Sequence, residues 1–139
     1  MAIRYRAFEH DDYEAARSLW EATDGVGLSS ADERGAIERF LDRNPGLSRV
    51  ALEGYRLVGA VLVGHDGRRG LIHHLAVSPS CRRRGVGRTL VREGLQGLAR
   101  EGIEKCHLLV YLDNPEGRAF WEAIGAEHRD ALTIYSLLT

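Results

Sequence analysis

A short stretch in the middle of the chain combines arginines with glycines, and we call residues 82–89 the arginine turn. Its charged and small residues are Arg82, Arg83, Arg84, Gly85, Gly87 and Arg88. The first N–H groups of a helix have no intrahelical acceptor and carry partial positive charge, so a helix that begins here offers an anion site. Guanidinium groups bind phosphate oxygens in pairs, and glycines keep the backbone accessible. The stretch therefore predicts a phosphate-binding turn.

Spacing distinguishes three phosphate-binding patterns for the arginine turn. A Walker A loop requires G-x-x-x-x-G-K-[ST], but Arg82 stands five residues before Gly87 and an arginine follows that glycine. The dinucleotide fingerprint G-x-G-x-x-G fits Gly85 and Gly87, but it requires a small residue at the position of Leu90. The pattern that remains is R-x-x-G-x-G.

With this pattern, preceded by an apolar strand and followed by an amphipathic helix, the chain resembles the GNAT superfamily of acyl-CoA-dependent N-acyltransferases. A second motif, Asn114, then Ala119-Phe120-Trp121, then Gly125, is similar to the family's N…A-x-F-Y-x-x-x-G-F signature. The resemblance implies acetyl-CoA as cosubstrate and no metal. It implies that these residues bind the cosubstrate: Leu75, Ala76, Val77, Arg82, Arg83, Arg84, Gly85, Val86, Gly87, Arg88, Thr89, Asn114 and Phe120.

Hydrophobic periodicity supplies the elements that must position these motifs. Period-two or wholly apolar runs predict strands at residues 3–8, 48–53, 57–64, 70–77, 106–112 and 131–138. Helical spacing predicts two helices after the first strand, one from the arginine turn to Gly102, and one from Pro115 to Gly125. The fold class is α/β with a mixed sheet. The resemblance implies the GNAT fold, whose mostly antiparallel sheet of seven strands splays between the fourth and fifth strands and ends in a hairpin.

Two local signals predict where the first helices begin. Asp11 or Asp12 is expected to cap the first helix, and Ser30 with Glu33 is expected to form a capping box before the second. The segment 106–112 is apolar throughout, which predicts a strand buried on both faces.

Acyl transfer to an amine requires a neutral amine and a stabilised oxyanion. His73 and His74 are the candidate general bases, since imidazole titrates near neutral pH. Adjacent strand residues face opposite ways, so only one of them is expected to point into a cleft. The alternative is that one is a core histidine and the other a surface residue. For the oxyanion, the resemblance points to a backbone N–H near Ala76 or Val77.

The leaving thiolate raises the question of a general acid. The family often uses a tyrosine in its last helix, where this chain has Trp121, and an indole N–H cannot give up a proton near neutral pH. Tyr111 is the substitute nearest in sequence. The alternative is that Tyr111 and Trp121 only line the core or the cleft. Asn114 is expected either to contact the pantetheine arm or to cap the helix at Pro115, and both roles can coexist.

Composition narrows the function classes. The 139 residues fit a single domain, 1–139, and the net charge of −1 argues against a nucleic-acid binder. The chain has no run of about 20 apolar residues and no signal-peptide pattern, so we expect a cytoplasmic protein without membrane association. Cys81 and Cys106 form no C-x-x-C pair, which predicts neither a disulfide framework nor a metal site.

These observations favour an N-acetyltransferase that passes an acetyl group directly to a primary amine of a small molecule or a peptide N-terminus. The alternative is a CoA-binding sensor with weak or no activity, which Trp121 favours. The resemblance implies an acceptor wall around residues 19–33 and 127–133, where Asp24, Asp32 and Glu33 could attract a cation. The sequence does not identify the acceptor, and it leaves a homodimer open.

Overall fold

The computed structural model describes residues 2–139. The strands of this part of the chain are β1 (Ile3–Ala7), β2 (Arg49–Glu53), β3 (Arg56–His65), β4 (Gly70–Val77) and β5 (Cys106–Leu108). The helices are α1 (Tyr13–Glu21), α2 (Arg34–Arg43), α3 (Val86–Arg100) and α4 (Pro115–Ala123). Packing divides the chain into two compact units, the first ending at Leu109 and the second comprising Val110–Thr139. The single-domain assignment stays a prediction.

The first unit contains one mixed sheet, in the order β1-β2-β3-β4-β5. The strands β1 to β4 pair antiparallel in sequence order, as the short connections predict. The strand β5 pairs parallel to β4 after the α3 crossover. The predicted α/β fold class is confirmed.

Helices cover both faces of this sheet. Trp20 of α1 and Ile37 of α2 pack in the core cluster that contains Leu62. On the α3 side, a Cβ built on Gly94 would lie 2.8 Å from Cγ2 of Val63. Since Leu62 and Val63 are adjacent in β3, their side chains point to opposite faces. Gly94 therefore allows α3 to approach the sheet closely, which explains a helical glycine that costs about 1 kcal/mol relative to alanine.

The predictions for the end of the chain were wrong in two places. The fifth strand stops at Leu108 and is half-buried, whereas a strand at residues 106–112 buried on both faces was expected. Leu109 is 72% exposed. Residues 131–138 form no strand, and no final hairpin forms. A strand needs a hydrogen-bonded neighbour as well as a suitable pattern. Within the described residues β5 is the sheet edge and is paired only with β4.

The capping box before α2 is shifted by one residue. It is formed by Ser29 and Asp32 around a 3₁₀ turn, with the Ala31 N–H donating to Ser29 Oγ and the Ser29 N–H to Asp32 Oδ2. The predicted pair of Ser30 and Glu33 was wrong by that one position. Asp32 takes the place in this box where glutamate or glutamine is usual, and its carboxylate accepts the N–H of the cap residue in the same way.

Asp12 precedes α1, but its carboxylate does not cap that helix. It accepts hydrogen bonds from both terminal nitrogens of Arg6, at 2.7 and 2.9 Å, and from the Glu9 N–H at 2.8 Å. Burial acts to raise the pKa of Asp12, but the hydrogen bonds from Arg6 and Glu9 outweigh it and hold the pKa below its usual value. The carboxylate thus ties β1 to the start of the first helix.

Two further features concern residues 2–139 as a whole. None of their helices has the length and apolarity needed to cross a membrane. No group of three or more histidine, cysteine or acidic side chains in the same residues is arranged to hold a metal ion.

Candidate active site

A β-bulge in β4 places the two histidines. Ala60 pairs with Ala76 and Leu62 with His73, so His74 and Leu75 together oppose one residue of β3. His74 has a left-handed backbone, with φ of 52°, and its carbonyl accepts a hydrogen bond from Trp20 Nε1 at 3.1 Å. The bulge breaks the alternation of side chains along the strand.

Because of this bulge, His73 and His74 line the same open cleft. We call it the acceptor cleft, after the acceptor wall that the resemblance implies in this part of the chain. The expectation that only one of them could face a cleft was wrong, since it assumed a regular strand. The cleft has a volume of about 590 Å³. Its walls come from the segment before α2, from α2 itself and from the strands: residues 27 and 29–32, then Ala36, Ile37, Arg39 and Phe40, then Leu62, His73 and His74.

His74 is held in place by a buried carboxylate. Its Nε2 lies 2.6 Å from Oδ1 of Asp32, whose other oxygen accepts the Ser29 N–H at 2.9 Å. The imidazole also packs against the Trp20 ring, with centroids 5.1 Å apart. The backbone carbonyl of Asp32 accepts the Tyr13 hydroxyl at 2.6 Å. The sequence left open that Asp32 attracts a cation; in the structure its carboxylate is engaged by His74 and by the Ser29 N–H.

His73 has the properties of a neutral base. Its ring meets Phe40 edge-on at 5.9 Å, and among residues 2–139 its nitrogens have no hydrogen-bond partner. Burial lowers the pKa of His73 below its ordinary value, the neighbouring His74 lowers it further, and the charge of Asp32 opposes both. The imidazole is therefore neutral at pH 7 and able to accept a proton.

The far end of β4 offers a backbone donor. The Ser78 N–H donates to the Val58 carbonyl of β3 at 2.7 Å. Since N–H groups alternate sides along a strand, Ala76 also faces β3 and the Val77 N–H faces the other side. On that side β5 pairs with β4 only from Gly70 to Ile72. Of the two oxyanion donors that the resemblance implies, Val77 is therefore the one whose N–H is not directed at β3, and its role stays a prediction.

The arginine turn follows β4, after a 3₁₀ turn at Pro79–Cys81. Gly85 is the N-cap of α3 with φ of 76°, and a Cβ built on it would meet nothing within 4 Å. The first helical hydrogen bond runs from the Thr89 N–H to the Gly85 carbonyl at 3.0 Å. The N–H groups of residues 86–88 therefore lie in the first turn, where a helix has no acceptors of its own. The predicted helix start is confirmed.

The arginines of this turn differ in their surroundings. Arg84 pairs with Glu53 of β2 at 2.8 Å, which anchors the turn to the sheet. The hydrogen bond from Arg84 holds the pKa of Glu53 below its usual value. Arg82, Arg83 and Arg88 are exposed and form no ion pair within the described residues. The Arg82 Nε donates to the Val77 carbonyl at 3.4 Å. Val86 is buried, so only its backbone is open to a ligand.

The second unit holds the remaining predicted residues. Asn114 caps α4, with its Oδ1 accepting the Gly117 N–H at 3.0 Å, while its Nδ2 has no partner among the described residues. The rings of Phe120 and Trp121 meet edge-on with centroids 5.1 Å apart. Tyr111 is 57% exposed. The cap role of Asn114 is confirmed, and the functional roles of these residues stay predictions.

Sequence reasoning missed the contribution of α2 to the acceptor cleft. Helical spacing predicted a second helix after the first strand, but it did not predict that Ile37, Arg39 and Phe40 of this helix would line a cleft. Helical periodicity identifies a stripe that faces inward, but it does not separate a stripe that fills the core from one that borders an open cleft. Of the acceptor wall that the resemblance implies at residues 19–33, residues 27 and 29–32 line this cleft, and their role stays a prediction.

Comparison with known proteins places these features in context. The chain matches the family described as "Acetyltransferase (GNAT) family" over residues 10–126. Acetyltransferase ECA0875 of Pectobacterium atrosepticum is 36% identical over 132 residues, covering 95% of this chain and 93% of the relative.

Two solved structures show the same fold. PaiA N-acetyltransferase of Thermoplasma acidophilum, in complex with coenzyme A, has a TM-score of 0.75 and 21% identity, covering 90% of this chain and 89% of that chain. AAC(6')-Iy, in complex with a CoA bisubstrate analogue, has a TM-score of 0.79 and 17% identity, covering 100% of both chains.

Proposed function

The chain belongs to the acetyltransferase (GNAT) family and is an acetyl-CoA-dependent acyltransferase, and on that premise we propose that it acetylates a primary amine of a small molecule or of a peptide N-terminus. The observation that carries the proposal is the pairing of a neutral His73 with an open cleft beside it. Two solved structures with this fold support an amine as the acceptor. One is named an N-acetyltransferase, and the other is in complex with a bisubstrate analogue that contains acetylneamine.

In the proposed reaction His73 prepares the acceptor. An alkylamine is protonated at neutral pH, with a pKa of about 10, so it must lose a proton before it can attack. His73 takes that proton on a ring nitrogen, directly or through one water. His74 is a positioning residue, since its Nε2 is engaged by Asp32 at 2.6 Å and its carbonyl by Trp20.

The amine nitrogen then attacks the thioester carbonyl carbon. A C–N bond forms, and the carbonyl π electrons move to oxygen, where the Val77 N–H is the proposed donor. A donor aimed at such an oxyanion is typically worth about 3 kcal/mol of the barrier. Collapse of the intermediate breaks the C–S bond, the thiolate leaves with the electron pair, and the new amide nitrogen releases its second proton to solvent. A thiol with a pKa of about 8.5 can leave as the anion and take its proton from solvent.

The arginine turn is the proposed site for the pyrophosphate of acetyl-CoA. The N–H groups of residues 86–88 supply donors, and Arg82, Arg83 and Arg88 supply charge. Arg84 is proposed to act mainly through its ion pair with Glu53, which holds the turn in place. The remaining assignments rest on the family resemblance alone. They are Leu75, Ala76, Thr89, Asn114 and Phe120 for binding of the cosubstrate, and Tyr111 and Trp121 for catalysis.

The test compares His73→Gln with His74→Gln in acetyl-transfer assays against a panel of amines and peptides. We expect His73→Gln to lower kcat by about 100-fold or more, the usual contribution of a general base. Wild-type kcat/KM should fall as the pH drops through the pKa of His73, below about 6.5. That acidic limb should persist in His74→Gln and vanish in His73→Gln. Persistence of the limb in His73→Gln would assign the base elsewhere.

The sensor alternative makes a different prediction for the same assays. A sensor would bind acetyl-CoA and release no thiol with any acceptor.

The proposed enzyme would work in the cytoplasm, where acetyl-CoA is available, and fractionation of cells that express the chain tests that location.

The segment after α4 bears on oligomeric state. Its large apolar side chains are all at least 65% exposed: Leu132, Ile134, Tyr135, Leu137 and Leu138. Exposed apolar side chains that cluster in one segment are typical of an interaction surface, so we propose a homodimer in which a second copy covers this segment. Sedimentation equilibrium tests this, and a monomer at every concentration would contradict it.

A further inference from the structure

Arg39 places a positive charge on the wall of the acceptor cleft. It lies on α2, on the same wall as Ile37 and Phe40, and is exposed. Its terminal nitrogen Nη1 lies 3.6 Å from the position of a Cβ built on Gly35, so the guanidinium folds back over the first turns of the helix. No carboxylate lies within ion-pair distance of Arg39 among residues 2–139.

The charges that line the cleft do not balance. Asp32 is the one carboxylate among the lining residues, and both of its oxygens are engaged, by His74 and by the Ser29 N–H. His73 is neutral at pH 7, since burial lowers its pKa. Arg39 is therefore the lining residue whose charge has no partner within the cleft.

A neighbouring arginine shows that this helix pairs its cations where carboxylates are near. Arg34 begins the same helix, pairs with Glu14 at 2.7 Å and with Glu38 at 3.7 Å, and stacks over the Tyr13 ring at 4.9 Å. Arg43 lies one turn after Arg39, outside the cleft lining, and has no ion pair among the described residues. Position in the cleft, rather than lack of a partner alone, therefore distinguishes Arg39.

We infer that the acceptor carries a carboxylate, which Arg39 binds while the amine of the same molecule faces His73. This inference rests on the proposed function and names the chemical class of its acceptor. The planar guanidinium fits a carboxylate with two parallel hydrogen bonds. Between the two charged ends the cleft offers apolar contacts from Phe40, Ile37 and Leu62. The carboxylate could come from the α-carboxyl of a free amino acid or from an acidic side chain of a peptide.

Two pairs of probes separate these sources. The first compares L-leucine with 3-methylbutylamine, which differ by the α-carboxylate. The second compares two C-terminally amidated peptides that begin with glutamate or with glutamine. Each probe is titrated into the full chain saturated with CoA, and each is assayed for acetyl transfer. The variants are Arg39→Gln, Arg39→Lys and the matched control Arg43→Gln.

The wild type should favour the carboxylate-bearing member of at least one pair by about tenfold in Kd and in KM, as expected for one charge-assisted contact. Arg39→Gln should remove that preference and leave the carboxylate-free member unchanged. Arg39→Lys should keep part of the preference, and Arg43→Gln should match the wild type. The pair that shows the preference identifies the source of the carboxylate.

Other results would overturn the inference. One is that the wild type binds both members of each pair equally or binds none of the probes. Another is that Arg39→Gln weakens the binding of both members of a pair to the same extent. A different result would contradict the proposed function, namely that no amine causes thiol release from acetyl-CoA. A protein that acetylates amines without any dependence on Arg39 would keep the function and lose the inference.

Discussion

Substitution of Gly85 by alanine tests the phosphate-binding role of the arginine turn. Gly85 has φ of 76° at the N-cap of α3, and a Cβ there would meet nothing within 4 Å. Alanine therefore adds backbone strain but no clash with the protein. The left-handed conformation costs an L residue about 1–2 kcal/mol, and the loss of glycine flexibility in the unfolded chain returns about 0.4–1 kcal/mol. The expected net loss of stability is about 1 kcal/mol.

The effect on acetyl-CoA should be larger than this strain explains. The methyl group would occupy the open space in front of the first N–H groups of α3, where the pyrophosphate is proposed to bind. We expect the Kd for acetyl-CoA, measured by isothermal titration, to rise at least tenfold, which corresponds to about 1.4 kcal/mol. Urea unfolding measures the stability loss on the same samples.

A matched control lies at the other end of the same helix. Gly102 has φ of 82°, and a Cβ there would also meet nothing within 4 Å. Gly102→Ala should lose about as much stability as Gly85→Ala, because the strain is the same, and should bind acetyl-CoA like the wild type. Wild-type affinity in Gly85→Ala, or equal losses of affinity in the two variants, would refute the assignment of the turn.

Three further predictions concern the leaving group, acid stability and packing. Trp121→Tyr should raise kcat if protonation of the thiolate limits the rate, and stopped-flow thiol release measures it; an unchanged or lower kcat would show that this proton is not limiting. Asp12→Asn should unfold at a lower urea concentration than the wild type at pH 7. Folding lowers the pKa of Asp12, so its contribution to stability is lost as the pH falls through that pKa, and the difference between the two proteins should shrink below about pH 4. A pH-independent difference would contradict this. Gly94→Ala should lower the free energy of unfolding by about 1–3 kcal/mol, because the new Cβ would lie 2.8 Å from Val63. Gly35→Ala should be neutral or stabilising, because its Cβ would lie 3.6 Å from a flexible arginine. Equal urea midpoints for the two variants would argue against close packing of α3.

The sequence predicted the elements whose signals are local. The strand at Gly70–Val77 and the helix that begins at Pro115 were placed correctly, because periodicity and an Asn-Pro cap are written in adjacent residues. The start of α3 at the arginine turn was predicted for the same reason. The predicted fifth strand was too long and the closing strand was absent, since pairing depends on neighbours that a pattern does not specify.

The acceptor cleft shows the same limit more sharply. Alternation along β4 predicts opposite directions for His73 and His74, but the bulge brings both to one cleft. The bulge depends on register with β3 and on the hydrogen bond from Trp20, 54 residues away. Asp32 likewise reaches His74 from 42 residues away. Such contacts arise from tertiary packing, and no local pattern of residue types predicts them.

The most direct test of acetyl transfer to an amine is one assay on the purified full chain. Acetyl-CoA is supplied with a panel of amines, amino acids and peptides, and thiol release is followed together with mass spectrometry of each acceptor. The account predicts stoichiometric release of CoA thiol and an acceptor heavier by one acetyl group, with both slowed about 100-fold or more in His73→Gln. Binding of acetyl-CoA without acetylation of any amine in the panel would contradict it.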